Sequence, residues 1–365
     1  AVRVLRAESP RDEGRHELDD LMPSLRAPLD ELRLALAELA NGIADLGDAA
    51  IEVEKLHQQL VGAAERLALL VSDDAWDGLR WLDVNPRSVR LNLTPLDVSA
   101  KLRGLMDNDH QAWVFTSATL AVGEDFSHFA SRMGLGGVTG LTFPSPYPVA
   151  DNGLIYLPTG LSPPSAFGYT DEVLEAVTPV FDMTEGGIFV LFTSHRALNI
   201  ARKWLTRHKS VLSGRRVLAQ GTAPRDDLLR RFRSEGNAVL LGTSSFWEGV
   251  DVRGRALTLV VIDKLPFASP KDPLMMARLE YIRREGGNGF TQHQVPQAVL
   301  TLKQGAGRLL RDELDYGVIV LCDPRISGKG YGRTFLEALE PMPTTRSLDD
   351  VRAFFERHEQ KGAVA

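Results

Sequence analysis

The sequence predicts an α/β protein in which helices cover both faces of a parallel β-sheet. Six short apolar stretches follow one another in the second half of the chain, at 154–157, 188–192, 217–219, 238–241, 257–262 and 317–321. Amphipathic stretches separate them, at 171–183, 195–208, 225–233, 273–284 and 296–310. Strands that are apolar on both faces and alternate with helices are typical of a parallel sheet buried between two helical layers.

The first part of the chain has a helical pattern. Apolar residues recur at intervals of four and three from Leu32 to Val71, a heptad repeat that packs against another helix. A straight helix over this span would be roughly 60 Å long. Gly42, Gly47 and Gly62 favour a bend. A short helical stretch precedes it at 17–25, and the partner of the heptad face is either the body of the protein or a segment upstream.

The middle of the chain changes character. Residues 89–93 alternate as a strand, and 113–116 form a second predicted strand before a turn of small residues. Six prolines between Pro144 and Pro164, in a stretch also rich in glycine, indicate a domain boundary. We therefore predict four parts: a helical segment at 1–78, a second part at 79–150, the sheet domain at 151–345, and a C-terminal helix and tail at 346–365.

Composition excludes several classes of protein. The chain has 365 residues, 44% of them hydrophobic and 25% charged. No run of 18 or more apolar residues is present, so we expect no membrane partner. The single cysteine, Cys322, excludes a disulfide or a four-cysteine iron–sulfur site built from this chain alone and favours a cytoplasmic location. Because the chain begins with Ala1 rather than Met, we expect a piece of a longer product.

Charge is unevenly distributed along the chain. The net charge is −6, and residues 8–54 hold 13 acidic and 4 basic side chains. Residues 202–233 hold 10 basic and only 2 acidic side chains. This second stretch has the charge that phosphate backbones select. A solvated helical face is an equally good interpretation of such a cluster.

Hydroxyl, glycine and acidic residues follow two of the predicted strands. Ligands of a parallel sheet bind at the carboxyl ends of its strands, where we expect these residues to lie. Thr193 and Ser194 come after 188–192 and offer hydroxyls and a helix N-terminus for phosphate. The stretch after 238–241 contains Thr243, Ser244, Glu248, Gly249 and Asp251.

Two arginines precede the last strand, in the stretch KQGAGRLLRDE at 303–313. Arg308 and Arg311 are three residues apart, so on a helix they share a face and could reach one anion. We expect them at the end of helix 296–310, also at the carboxyl edge of the sheet.

Three further stretches do not support a catalytic role. Asp263 and Asp323 each end an apolar strand like a magnesium ligand, but neither precedes a second acidic residue. Residues 327–330 resemble the end of a phosphate loop, but lack the first glycine and the hydroxyl after the lysine. The sequence contains neither a G-x-x-x-x-G-K-[ST] motif nor a D-E-x-H box.

The order of these stretches carries more information than any one of them. FTSATL, the Phe192–Ser194 turn, GTSSFWEGVDVRG and the 303–313 stretch follow the order of motifs III to VI of superfamily 2 helicases. VIDKLPFASPKDP and VPQAVLTLKQGAGRLLRDELDYGVIVLCDPR resemble the bacterial DinG branch of the XPD-type helicases, and its YoaA members in particular. The resemblance extends from Val89 to Thr345.

The resemblance implies an ATP-driven DNA helicase of repair that moves 5′ to 3′ on single-stranded DNA. Such proteins clamp ATP and Mg²⁺ between two RecA-like domains, and an arch of helices and usually an iron–sulfur domain are inserted in the first. It implies that 151–345 is RecA-like motor domain 2, that 79–150 closes motor domain 1, and that 1–78 is arch-like.

The resemblance also implies a role for each matched residue. Gln304, Arg308 and Arg311 match motif VI, whose arginines reach the γ-phosphate. Glu248, Gly249 and Asp251 match motif V, which links nucleotide to DNA. Ser117 and Thr119 match motif III, which couples hydrolysis to domain movement. Thr193, Ser194, Thr243 and Ser244 are implied to contact the DNA backbone.

The family's phosphate loop, D-E-x-H box and cluster cysteines are not in this sequence. The resemblance therefore implies the C-terminal half of a helicase, inactive alone and holding neither ATP, Mg²⁺ nor the cluster by itself. Its expected partners are single-stranded DNA, the N-terminal motor half, and a replication or repair accessory protein. The alternative is a non-catalytic interaction or DNA-binding module derived from a helicase; an RNA helicase is a weaker third interpretation.

Overall fold

The computed structural model describes residues 2–44, 51–73, 78–85, 88–107, 110–243, 246, 252 and 254–364, without the side chains of 361–364. The chain divides into two compact units. The first, here called the helical unit, consists of Ala1–His110, Arg132–Gly134 and Ala268–Gly289. The second, the sheet unit, consists of Gln111–Ser131, Leu135–Phe267 and Phe290–Ala365. Within the described ranges, no helix is long and apolar enough to span a membrane.

The helical unit combines helices with a small antiparallel sheet. Its strands are β1 (Gly14–Glu17), β2 (Gly78–Asn85) and β3 (Ser88–Pro95), paired in that order. The predicted strand 89–93 is thus confirmed within β3. The helices are Val2–Glu8, Met22–Ala44, Ile51–Val71, Ser99–Met106 and Pro273–Arg284, with a 3-10 turn at Asp19–Leu21. The predicted helical stretch 17–25 therefore contains the end of β1, this turn and the start of Met22–Ala44.

The heptad repeat forms two helices that pack on each other. Leu25 and Leu29, at the start of Met22–Ala44, share one apolar core with Leu67 and Leu70, at the end of Ile51–Val71. The two helices are therefore antiparallel, and the prediction of one long helix is wrong. Within the repeat, Leu32, Leu36 and Leu67 pack in this shared core, whereas Leu39 is 58% exposed. Gly47 lies outside the described residues.

The predicted strand 113–116 is not a strand. Among the described residues it pairs with no neighbouring strand, and Trp113 is 52% exposed. The ring of Trp113 stacks on Phe115 at 6.2 Å, and Phe115 meets Phe129 edge-on at 5.3 Å. An alternating pattern forms a strand only where another strand can pair with its backbone.

The sheet unit contains a seven-stranded sheet in which all strands run parallel. Its order is β10-β4-β9-β8-β5-β7-β6. All six predicted strands are confirmed, within one or two residues at their ends. The strands are β4 (Gly153–Tyr156), β5 (Ile188–Leu191), β6 (Val217–Ala219), β7 (Val239–Gly242), β8 (Leu259–Ile262), β9 (Gly317–Leu321) and β10 (Thr344–Thr345).

Helices cover both faces of this sheet, as predicted. Phe189 and Leu191 point into a core with helices Arg225–Glu235 and Val295–Ala306, which we call the first layer. Ile188 and Val190 point into the opposite core. The helices of that second layer are Tyr169–Phe181, His195–Arg207 and Leu348–Val364. Shorter helices lie at Ser127–Met133, Val149–Asn152, Lys209–Leu212, Gly254–Ala256, Phe290–Gln294, Arg325–Gly328 and Gly332–Glu337.

Candidate functional site

Thr193 and Ser194 lie at the carboxyl end of β5, where the second-layer helix His195–Arg207 begins. Ser194 caps this helix, because its Oγ accepts a hydrogen bond from the Ala197 N–H at 3.2 Å. The Thr193 N–H donates to Oδ1 of Asp263 at 3.2 Å. Both residues are half-buried. The turn is therefore held in place by Asp263, and the helix N-terminus faces this edge of the sheet.

Thr243 follows β7 and is buried. Its N–H and its hydroxyl both donate to Oε1 of Gln220, at 2.7 and 3.0 Å. Thr243 thus orients Gln220, a residue that the sequence pattern did not single out. Ser244, Glu248, Gly249 and Asp251 lie outside the described residues.

A buried carboxyl group, Asp263, lies at the carboxyl end of β8. Its Oδ1 accepts from the N–H groups of Thr193 at 3.2 Å and Lys264 at 2.8 Å. Burial raises the pKa of Asp263 to about 7, although these two donors and the charge of Lys264 oppose the shift. The carboxyl group therefore takes up a proton near neutral pH while it holds two neighbouring loops together.

This shift of pKa predicts a pH-dependent stability. An unfolded aspartate has a pKa of about 3.9, so between about pH 4 and 7 the folded chain holds a proton that the unfolded chain has lost. Stability should therefore fall as pH rises through this window and level off above pH 7. We expect the free energy of unfolding of the unchanged chain, measured with urea, to fall relative to that of Asp263→Asn by at most about 1.4 kcal/mol per pH unit. The exposed control Asp151→Asn should track the unchanged chain, and parallel curves for Asp263→Asn would contradict the prediction.

A second buried carboxylate, Asp323, follows β9 and has a structural role. Its Oδ2 accepts from the Leu265 N–H at 2.8 Å and from Arg325 Nη2 at 2.6 Å. Nearby, the Tyr169 hydroxyl donates to the backbone carbonyls of Asp263 at 2.7 Å and Cys322 at 3.0 Å. These contacts tie the ends of β8 and β9 to the second layer. No cluster of metal-ligating side chains occurs in the part of the chain that the structure describes.

Arg308 and Arg311 lie in a loop, not on a helix. The helix Val295–Ala306 ends before both of them, with Gly307 as its C-cap. The prediction that they share a helix face is therefore wrong. We call residues 307–316, between this helix and β9, the arginine loop. Gln304 remains on the last turn of the helix, next to a half-buried lysine, Lys303, whose pKa is lowered by burial.

Asp315 holds the arginine loop in place. It is 3% exposed. Its Oδ2 accepts from the Arg311 N–H and its Oδ1 accepts from the Gly254 N–H, each at 2.8 Å. Sequence reasoning missed this residue, because the only signal was one acidic residue shortly before an apolar strand.

The arginine loop lies at the amino edge of the sheet. It leads directly into the start of β9 at Gly317, and Gly254 begins the short helix that precedes β8. The expectation that the arginines lie at the carboxyl edge is therefore wrong. In a parallel sheet the covering helices run back against the strands, so a residue that follows a helix reaches the opposite edge. Thr193, Ser194 and Thr243 stand at one edge, and Arg308 and Arg311 at the other.

Ser117 and Thr119 form a small turn in the sheet unit. The two hydroxyl oxygens are 3.2 Å apart, and the Thr119 N–H donates to Ser117 Oγ at 3.1 Å. Ser117 is exposed and Thr119 half-buried. The coupling role that the resemblance implies for this pair stays a prediction.

Comparison with known proteins places these features in one family. The helicase C-terminal domain family matches residues 177–342. The ATP-dependent DNA helicase YoaA of Escherichia coli strain K12 is 41% identical over 319 residues, which cover 87% of this chain and 48% of that protein. The ATP-dependent helicase DinG of Mycobacterium tuberculosis strain H37Rv is 36% identical over 293 residues, 78% of this chain and 43% of that protein.

Solved structures agree on the fold. An XPD helicase structure superposes with a TM-score of 0.58 at 16% identity, covering 95% of this chain and 60% of that one. Xpd4 of S. tokodaii superposes with a TM-score of 0.57 at 17% identity, covering 93% and 63%. The sheet unit thus has the predicted RecA-like fold, and the chain spans about half the length of the relatives named above. Sequence and fold together identify the chain as a member of the DinG and YoaA group of XPD-like DNA helicases, to whose C-terminal portion it corresponds.

Proposed function

We propose that the chain is the C-terminal half of an ATP-dependent DNA helicase that moves 5′ to 3′ on single-stranded DNA and acts in DNA repair. The observation that carries this proposal is the 41% identity, over 87% of the chain, to a protein named as an ATP-dependent DNA helicase. Motor domain 2 is the part at 151–345, which contains the seven-stranded sheet. Its role is to complete an ATP site whose phosphate-binding part belongs to the N-terminal half.

In this proposal Arg308 and Arg311 reach the γ-phosphate of ATP held by the other motor domain. Planar, permanently charged guanidinium groups suit the charge that spreads over the transferring phosphoryl group. The arginine loop supports this role, since Asp315 fixes its backbone at the amino edge, away from the carboxyl ends of its own strands. Gln304, one turn earlier, completes the set.

The phosphate loop, the Mg²⁺ site and any iron–sulfur cluster are assigned to the N-terminal half in the same proposal. When bound there, Mg²⁺ neutralises charge on the phosphates. The residues of this chain do not fit a cluster, because Cys322 is its single cysteine. That thiol is buried, and burial raises its pKa well above the ordinary value, which disfavours the thiolate that a cluster requires.

Single-stranded DNA is proposed to contact the carboxyl edge of the sheet unit. Thr193 and Ser194 lie at the N-terminus of helix His195–Arg207, and backbone N–H groups at such a terminus favour phosphate. Thr243 orients the neighbouring Gln220 and would act through it. Roles for Ser244, for the nucleotide-linking residues Glu248, Gly249 and Asp251, and for the coupling pair Ser117 and Thr119 belong to the same proposal.

The test is ATP hydrolysis with and without the N-terminal half. The purified 365-residue chain should show no DNA-stimulated hydrolysis, because an arginine finger without the phosphate cradle loses most of the electrostatic stabilisation of the reaction. The complete protein should hydrolyse ATP when single-stranded DNA is added. DNA-stimulated hydrolysis by the 365-residue chain, abolished by Arg311→Ala, would overturn the assignment.

The alternative, a non-catalytic interaction module, depended on an unpartnered heptad face. Leu25 and Leu29 of one helix and Leu67 and Leu70 of the other share one apolar core, so part of this face is already covered, which weakens that alternative. The proposal includes an accessory protein of replication or repair as a partner. Stoichiometric capture of such a protein by residues 29–71, with no DNA binding at low salt, would favour the alternative.

A further inference from the structure

We propose that the last two turns of helix His195–Arg207 form a second binding surface for single-stranded nucleic acid, remote from the residues assigned to hydrolysis and to the carboxyl edge. Four side chains line a groove of about 480 Å³ on this helix: Arg202, Lys203, Thr206 and Arg207. We call it the cationic groove. The inference does not depend on ATP hydrolysis.

Some of the basic side chains at 202–233 make hydrogen bonds, ion pairs or ring contacts within the fold, and others do not. Arg215 is half-buried and donates to the carbonyl oxygens of Gly186 at 2.6 Å, Asn237 at 2.7 Å and Thr184. Arg216 pairs with Glu235 at 3.0 Å, and Arg230 pairs with Asp227. Arg225 lies over the ring of Phe246 at 5.6 Å. These contacts involve four of the ten basic side chains in the stretch.

The three cations of the groove differ from these. Arg202, Lys203 and Arg207 are exposed, and no ion pair involves them within the described ranges. Residues at i, i+1, i+4 and i+5 form two adjacent stripes on one side of a helix, so the cations converge on the same groove. The Thr206 hydroxyl donates to the Arg202 carbonyl at 2.8 Å. The groove is therefore an uncompensated positive surface.

The cationic groove is separate from the proposed ATP and carboxyl-edge residues. The helix belongs to the second layer, whereas helix Val295–Ala306, which leads into the arginine loop, belongs to the first. The sheet lies between them. Arg207 is also 13 residues beyond Ser194, about 20 Å along the helix axis. The groove is therefore a site of its own, apart from both sets of residues.

The chemistry of the groove favours a phosphate backbone with bases rather than an acidic peptide. Guanidinium and ammonium groups suit both phosphate and carboxylate. Beside the groove and outside its lining, however, the exposed ring of His208 stacks at 4.1 Å on Trp204, which itself packs partly against the second-layer core. Unpaired bases stack on such rings, whereas an acidic peptide gains nothing from them. Aromatic rings beside unpaired cations are the combination that binds single strands without regard to sequence.

The first test measures the affinity of the full 365-residue chain for a fluorescein-labelled oligothymidylate of about 20 nucleotides by anisotropy. Arg202→Gln/Lys203→Gln/Arg207→Gln should weaken binding about tenfold at low salt and reduce the slope of log K against log salt by about 2, since each phosphate contact contributes about 0.7. The matched control is Arg216→Gln/Arg230→Gln/Arg333→Gln. It removes the same charge from three exposed arginines that are already ion-paired, and it should change Kd less than about twofold.

A second test measures binding with a fluorescent dye placed in the groove itself. Thr206→Cys can be labelled selectively with an environment-sensitive dye, because the only other cysteine, Cys322, is buried. We expect the dye to respond to oligothymidylate and the response to disappear in the groove triple variant. Equal affinity of the groove and control variants, together with a silent dye, would overturn the proposal. A dye that responds to polyglutamate but not to oligothymidylate would also overturn it, in favour of an acidic protein segment.

Discussion

Replacing Arg308 with alanine in the complete helicase is expected to lower kcat for ATP hydrolysis by about 10³-fold or more. The guanidinium would meet charge that develops on the γ-phosphoryl group in the transition state, and no neutral side chain can substitute for it. Affinity for single-stranded DNA should stay nearly constant, because the proposed DNA contacts of Thr193 and Ser194 lie at the other edge of the sheet. Steady-state hydrolysis at saturating DNA, alongside DNA binding without nucleotide, gives both quantities.

Arg311→Ala should lower kcat for ATP hydrolysis by a similar factor. Its backbone N–H still donates to Asp315 after the substitution, so this anchor of the loop is kept. Arg311→Lys should recover little of the lost kcat, since an ammonium group lacks the planar pair of donors. Arg333→Ala removes an exposed arginine that is paired with Glu337 and should leave hydrolysis unchanged. Wild-type kcat in Arg308→Ala and Arg311→Ala alike would refute the assignment of both fingers.

The strands of the sheet unit were predictable because their pattern has one physical cause. In β5, Ile188 and Val190 face one core while Phe189 and Leu191 face the other, so every position is apolar. A run of that kind is stable only between two layers. The heptad repeat of the helical unit was equally clear, but a repeat does not specify whether its partner is another segment or its own second half.

The end of helix Val295–Ala306 shows why the candidate site was harder to predict. Leu309 and Leu310 continue the apolar pattern of Leu302 past the true end of the helix. Leu309 is buried although it lies in the loop. A periodic apolar pattern indicates which residues are buried, but it does not show whether a helix or a loop buries them. The helix instead ends at Ala306, with Gly307 as its C-cap. A helix prediction that ran to residue 310 therefore misplaced both arginines.

Placement at an edge of the sheet depends on contacts that no local pattern contains. Asp315 reaches Gly254, which is 61 residues away in the chain, and it is this contact that fixes the arginine loop at the amino edge. The resemblance to helicases identified the arginines, but nothing in the sequence identified the carboxylate that positions them. The residues proposed to carry chemistry could thus be named from the sequence, whereas the residue that holds their loop required the structure.

Asp315→Ala is expected to destabilise the chain by about 3 kcal/mol, the sum of two hydrogen bonds to a charged acceptor. Asp315 is buried, and its two oxygens accept from the N–H groups of Gly254 and Arg311. Asp315→Asn keeps one carbonyl acceptor and should lose roughly half as much. Urea unfolding with an unchanged m-value measures both effects.

The exposed neighbour Asp312 supplies the control, because Asp312→Ala should leave the urea midpoint nearly unchanged. A positioning role predicts a second consequence in the complete helicase. Asp315→Asn should lower kcat for ATP hydrolysis under conditions where the protein is still fully folded, since the Arg311 backbone loses a strong acceptor. A destabilised Asp315→Asn protein with normal kcat would show that Asp315 serves the fold alone. Loss of kcat in the folded protein would instead link the buried carboxylate to the two arginines through the loop that it holds.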